Sequence, residues 1–145
     1  MELNWIQARL EELAPRQVHD LFRLRVDTFV VEQRCAYPEI DGKDPECMHL
    51  LASDRNGRLI ACCRIVPPDG DGMPHIGRVV VHPAARGRGV AHELIHRALE
   101  VVGSLYGHTR CALAAQSQIE AFYAKHGFVR TGPDYDWDGI PHVDM

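Results

Sequence analysis

The sequence predicts a mixed α/β domain, a twisted and largely antiparallel sheet with helices on both faces. Three observations carry this expectation. The β-branched run Val79-Val80-Val81 stops at Pro83, passes through Gly87 and Gly89, and enters the amphipathic stretch Val90 to Tyr106, which makes a strand–turn–helix unit. His49 to Ser53 and Leu59 to Val66 flank Asp54-Arg55-Asn56-Gly57, a strong signal for a two-stranded hairpin. Short extended and helical segments then alternate to the end of the chain, separated by glycine- and aspartate-rich turns.

Taken in order, Trp5 to Arg9 is expected as a first edge strand. Pro15 suits the first turn of a helix running to about Phe29, with Leu21, Phe22, Arg25, Val26 and Phe29 at helical spacing. Val31 to Glu46 reads as an irregular loop rich in Asp, Pro and Gly, and Pro67 to Pro74 as a second loop after the hairpin. Ile76 to Val81 is expected to be the central strand that feeds the glycine turn. Beyond the Val90 helix come a short strand from Cys111 to Ala115 and a short helix around Tyr123, stopped by Gly127. Two last strands are expected near Phe128 and Val143, with Asp136-Trp137-Asp138-Gly139 as their turn. At 145 residues this is one domain, 1–145.

Bulk properties narrow the function. The chain is 46% hydrophobic and 25% charged, the composition of a soluble globular protein. No apolar run approaches the ~20 residues of a membrane helix, and Met1-Glu2-Leu3-Asn4-Trp5 lacks a signal-peptide pattern, so a cytoplasmic location without membrane attachment is expected. A net charge of -4 argues against nucleic-acid binding. The Arg86-Gly87-Arg88-Gly89 stretch stands alone, between a strand and a helix, and is no arginine-glycine repeat. Five cysteines without regular spacing are expected to be reduced, buried thiols, and the neighbours Cys62 and Cys63 should point to opposite faces of a strand.

The richest signal is the glycine turn. A strand feeding a glycine-rich turn that opens a helix gathers unpaired backbone N–H groups at the positive end of a helix dipole, a site for an anion and above all a phosphate. Glycine allows phosphate oxygens to approach the amides without meeting a Cβ. Two familiar phosphate loops are excluded: no Gly-Lys-Ser/Thr ending follows, and His92 stands where a third glycine of a dinucleotide fingerprint would be.

Arg86-x-x-Gly89-x-Ala91 instead resembles the pyrophosphate loop of the GNAT acetyltransferase superfamily. Phe122-Tyr123-x-x-x-Gly127-Phe128 resembles that superfamily's C-terminal signature, and the two motifs stand in the family's order. Phe29-Val30-Val31-Glu32-Gln33, Tyr37, Asp41-Gly42, Asp44, His49, Gly77-Arg78-Val79 and Gly139-Ile140-Pro141-His142 are similar to the ElaA-like branch, so the resemblance runs from Trp5 to Met145. It implies a GNAT-like fold and acetyl-coenzyme A as co-substrate, held by Val79, Val80, Val81, Arg86, Gly87, Arg88, Gly89, Val90 and Ala91, with no metal. Tyr123 would then lie beside the coenzyme sulfur. Many members carry an asparagine shortly before the Phe-Tyr helix; Gln116 and Ser117 stand there instead, either able to hydrogen-bond the pantetheine arm.

The implied activity is N-acetyl transfer to a primary amine by direct attack. Tyr123 is the candidate acid for the leaving thiolate, since a phenol of pKa ~10 is reasonably matched to it, and backbone N–H groups around Val79 to Val81 are candidate donors to the carbonyl oxygen. The base is open among Glu32, His49, His75 and His142, or a water chain. Arg78 either binds an acidic substrate group or pairs with a loop aspartate. Glu39, Asp41, Asp44, Asp134, Asp136 and Asp138 are expected either to rim the cleft and attract a cationic amine or to form a solvated acidic surface. Peptide, lysine, polyamine and small amine acceptors all stay open, as do monomer and homodimer. Two other readings compete: a coenzyme-binding module without catalysis, and a zinc hydrolase through His92-Glu93-Leu94-Ile95-His96. The latter's extended form would need glycine and histidine where Leu99 and Val102 stand, and a looser metal set of Cys35, Cys47 and His49 lacks paired spacing.

Overall fold

The computed structural model describes residues 2–145. Strands β1 (Asn4–Arg9), β2 (Met48–Ser53), β3 (Leu59–Val66) and β4 (His75–Val81) form an antiparallel sheet in the order β1-β2-β3-β4. Helix α1 (Pro15–Val26) lies between β1 and β2, and α2 (Val90–Tyr106) follows β4. A second sheet contains β5 (Ala114–Gln116), β6 (Tyr135–Trp137) and β7 (Ile140–Asp144) in the order β5-β7-β6, with the short helix α3 (Glu120–Ala124) after β5.

Period-2 alternation along β2 and β3 sorts the core onto two faces. Leu50, Ala52, Ala61, Cys63 and Ile65 pack with Leu94, Ile95, Ala98 and Val102 of α2. Leu51, Cys62 and Val80 pack with Leu21 and Leu24 of α1 on the other side. The neighbouring cysteines therefore face opposite layers, as expected. All five cysteines are free, and burial pushes the Cys62 thiol up to about 12, which leaves it inert.

Four expectations need correction. The Ile76–Val81 strand, β4, is the edge of the first sheet rather than its centre. It meets the second sheet through one parallel bridge, His75 to Ala112, with Ile76 N–H donating to Ala112 O at 3.0 Å. Beyond that bridge β4 and β5 diverge unpaired, and the expected Cys111–Ala115 strand begins at Ala114. No strand forms at Phe128. That ring is buried against Tyr123, and Val129 to Asp134 loops across with one backbone bond to β7, because Pro133 lacks a donor and Arg130 is tied to Glu120 and Asp134. Finally, the helix that should stop near Phe29 continues to Glu32 as a π-helical turn, Asp27–Glu32, with Gln33 N–H donating to Thr28 O and Cys35 N–H to Val30 O, five residues back.

Candidate active site

The divergence of β4 from β5 opens a cleft of about 760 Å³, within the usual range for a small-ligand site. Val79 to Val81 form one wall, Leu113, Ala114 and Gln116 the other, and Tyr123 and His142 both line it. A bulge shapes the first wall. Cys62 faces Val80 while Arg64 faces Gly77, so Arg78 and Val79 together oppose Cys63 alone, and Arg78 adopts the left-handed region at φ 49°. A bulge takes backbone groups out of the ladder and bends the strand.

At the end of β4 the chain makes a one-turn 3-10 segment, Pro83–Ala85, and then the glycine loop. Gly87 and Gly89 both have φ 78°, and a Cβ built on either meets no atom within 4 Å. Backbone conformation and open approach, not packing, call for glycine there. Gly89 caps α2 without any side-chain bond to the first-turn amides, leaving those donors free to take an anion. The residues present thus fit a phosphate-bearing group. Arg86 lines the cleft and pairs with Glu32 through Nη1–Oε2 at 2.8 Å and Nη2–Oε1 at 3.0 Å. Val90 is buried at the start of α2, with Ala91 beside it at the surface of its first turn.

Tyr123 is 6% exposed, its ring edge-on to Phe122 at 5.0 Å and to Phe128 at 6.1 Å. Gly127, at φ 91°, ends the α3 turn so that the N–H groups of His126 and Phe128 both donate to Tyr123 O. Burial raises the phenol above its ordinary range, so it stays protonated and can donate. His142 sits on β7, where Nδ1–H donates to Ile140 O at 2.7 Å; that bond leaves Nε2 as the acceptor nitrogen of the neutral ring. The rings of Tyr135 and Trp137 flank it at 6.1 and 5.2 Å. Gln116 stands opposite His142 in the β5–β7 ladder and donates Nε2–H to Gln33 Oε1 at 3.1 Å across the cleft.

The other base candidates are each engaged elsewhere. The Arg86 guanidinium holds the Glu32 carboxyl below its usual range, so it is a poor proton acceptor. His49 is fully buried away from the cleft, donates Nε2–H to Asp44 O at 3.0 Å, and is held neutral by burial. His75 lines the cleft but is paired with Asp71 at 2.8 Å.

The loop acids are neither a rim nor a solvated surface. Arg25, 1% exposed, is bonded to Glu39 at 2.7 Å and to Asp44 at 2.6 Å. Arg64 reaches Asp41 at 2.7 Å and Asp44 at 3.3 Å, and Arg78 reaches Glu39 at 2.8 Å. Arg78 thus pairs with loop carboxylates, the second of its two expected roles. Three arginines and three carboxylates balance. The Arg64 pair and hydrogen bonds hold Asp41 far below its ordinary range, with Asp44 lowered too by Arg25 against the cost of burial. Asp134 is bound by Arg130, and Asp136 accepts from Gly139 N–H. Asp138 alone of the six acids lines the cleft. Reading Arg25 as part of an apolar helix face located it correctly and misjudged what it meets.

His92 and His96 stand on the exposed face of α2, where His92 Nδ1 lies 2.9 Å from His126 Nε2 and its ring packs on Phe122. Among the described residues no group of three or more His, Cys, Asp or Glu is placed to hold a metal ion, and no helix is long and apolar enough to cross a membrane. Phe29 from the π turn, Gln33 just after it and Trp137 from β6 also line the cleft, positions to which the sequence assigns no site role.

A cleft between splayed strands, closed at one end by a glycine loop and an uncapped helix N-terminus, suits an acyltransferase, and the comparisons with known proteins show that class. Residues 12–145 match the acetyltransferase (GNAT) domain model. Escherichia coli ElaA is 37% identical over 146 residues, covering 99% of this chain and 95% of that protein, and its crystal structure superposes with a TM-score of 0.91 over 99% and 98% of the two chains at 34% identity. A UPF0039 protein of Schizosaccharomyces pombe is 36% identical over 99% of this chain and 95% of its own. The crystal structure of an acyl-CoA N-acyltransferase from Pseudomonas aeruginosa matches with a TM-score of 0.93 at 39% identity, covering 99% of this chain and 98% of that one. The chain belongs to the GNAT acetyltransferase family, in the branch that includes ElaA.

Proposed function

We propose that this protein transfers an acetyl group from acetyl-coenzyme A to a primary amine by direct attack. The observation that carries the reading is that Tyr123, His142 and the bulged Val79–Val81 segment line one cleft, beside an α2 N-terminus with no side-chain cap. When bound, the coenzyme supplies an activated thioester whose pyrophosphate suits Arg86 to Ala91. The protein's residues do the rest. His142 Nε2 takes the proton of the acceptor ammonium, freeing the nitrogen lone pair. Backbone N–H groups around Val79 to Val81 face the charge that builds on the carbonyl oxygen. As the C–N bond forms and the C–S bond breaks, the Tyr123 hydroxyl donates to the departing thiolate. Gln116, bridged to Gln33, steadies the arm of the coenzyme from β5. Orienting amine and thioester together accounts for several kcal/mol of the barrier.

Calorimetric titration with acetyl-coenzyme A, repeated on Gly89→Glu, tests this. Micromolar binding in the wild type that is lost in the variant supports the loop assignment, and release of coenzyme thiol with a panel of amines then tests transfer. A folded wild type that does not bind overturns the proposal.

A further inference from the structure

The two arginines of the glycine loop stand in different states. Arg86 commits three of its five N–H groups: Nε–H donates to Val81 O at 3.0 Å, and Nη1 and Nη2 grip both oxygens of Glu32. Arg88 is exposed and carries no ion pair or side-chain hydrogen bond among the described residues. Glu32 is the last residue of the π turn, so the pair spans from the end of α1's extension to the start of the loop, 54 positions apart in sequence. The charge of Arg86 is cancelled where it stands, and the Nε bond to the last residue of β4 fixes the plane of its guanidinium.

We infer that Glu32 is a positioning residue that clamps Arg86 against the end of β4 and so holds the phosphate loop in shape, while Arg88 supplies the loop's free positive charge. This rests on the coenzyme-binding reading of the loop. The rival arrangement has Arg86 leaving Glu32 to reach the phosphate, which makes Glu32 a competitor. The two arrangements predict opposite signs for one substitution. With a clamp, loss of Glu32 weakens coenzyme binding; with a competitor, it strengthens binding.

The test is calorimetric titration of coenzyme A against wild type, Glu32→Ala, Arg86→Ala, their double variant and Arg88→Ala, with melting temperature and turnover at saturating coenzyme measured on each. The pair is nearly half-exposed, at 42% and 45%, so the variants should fold. A clamp of this kind predicts that Glu32→Ala and Arg86→Ala each raise Kd about two- to fivefold, the range of an exposed pair. The double variant is then no weaker than either single one, because the clamp is already gone. Arg88→Ala raises Kd about fivefold or more, multiplies with the others, and flattens the salt dependence. Turnover at saturating coenzyme stays within about twofold in Glu32→Ala, which a general base would not allow. Glu32→Gln should reproduce the alanine result. Tighter or unchanged binding in Glu32→Ala overturns the inference, as does simple additivity with Arg86→Ala. Failure of the wild type itself to bind overturns the proposed function instead, so the two failures are distinct.

Discussion

At the scale of single residues, one phenol serves the fold and, in the proposed reaction, the chemistry. Tyr123 closes the core beside Phe128 and still lines the cleft. Its raised pKa makes it a secure proton holder and a weaker acid than an exposed tyrosine, so in the proposed reaction its proton moves as the thiolate forms rather than before. Tyr123→Phe keeps the ring and removes the proton. The expected outcome is a fall in turnover of about 10²-fold with coenzyme affinity held within about twofold, measured by thiol release and by calorimetry. Loss of affinity in parallel with turnover would show that the hydroxyl serves binding alone. Full retention of turnover would remove Tyr123 from the chemistry.

Among elements, the strongest constraint is the ion lattice that ties the 39–46 segment to α1, β3 and β4. Arg25→Met leaves Glu39 and Asp44 buried with one partner fewer, and the expected loss is about 3–5 kcal/mol of unfolding free energy in urea. This lattice also marks where the sequence ceases to be legible. The Val90–Tyr106 helix, the hairpin and the Gly127 stop are local signals and stand where the residues place them. The partners of Arg25 and Arg64 lie 14 to 23 positions away in a segment without periodicity, and no local pattern distinguishes a paired carboxylate from a solvated one. The same reason hid Gln33, whose partner Gln116 is 83 positions away. The edge position of β4 was illegible for another cause. A β-branched run states that the faces of a strand are packed, as Val80 is against α1, and says nothing of whether its backbone edge is paired.

For the whole molecule, stability should depend on pH through the same lattice and through His49. Burial lowers the His49 pKa, so the unfolded chain binds a proton that the native state refuses. Stability is therefore full above the unfolded value of ~6.5 and declines as pH falls below it; His82 and His126 act in the same direction and less, being more exposed. Asp41 and Asp44 have depressed native pKa values, and their contribution is present above ~4 and lost on further acidification. Urea melts between pH 8 and pH 3 should show two successive declines, and His49→Gln should shrink the first while sparing the second. The π turn has a consequence of another kind. Its wide coil takes up one residue more than an α-turn would, so the chain that leaves it keeps its phase; a further change of length is not absorbed, and each residue of a helix turns the chain by about 100°. Adding one amino acid between Asp27 and Val31 would leave composition and hydrophobicity almost untouched and rotate Glu32 and Gln33 away from Arg86 and Gln116. An in-frame insertion of one codon there would therefore injure the enzyme in a way that a complete scan of point substitutions would miss, because the message carried by that stretch is its length.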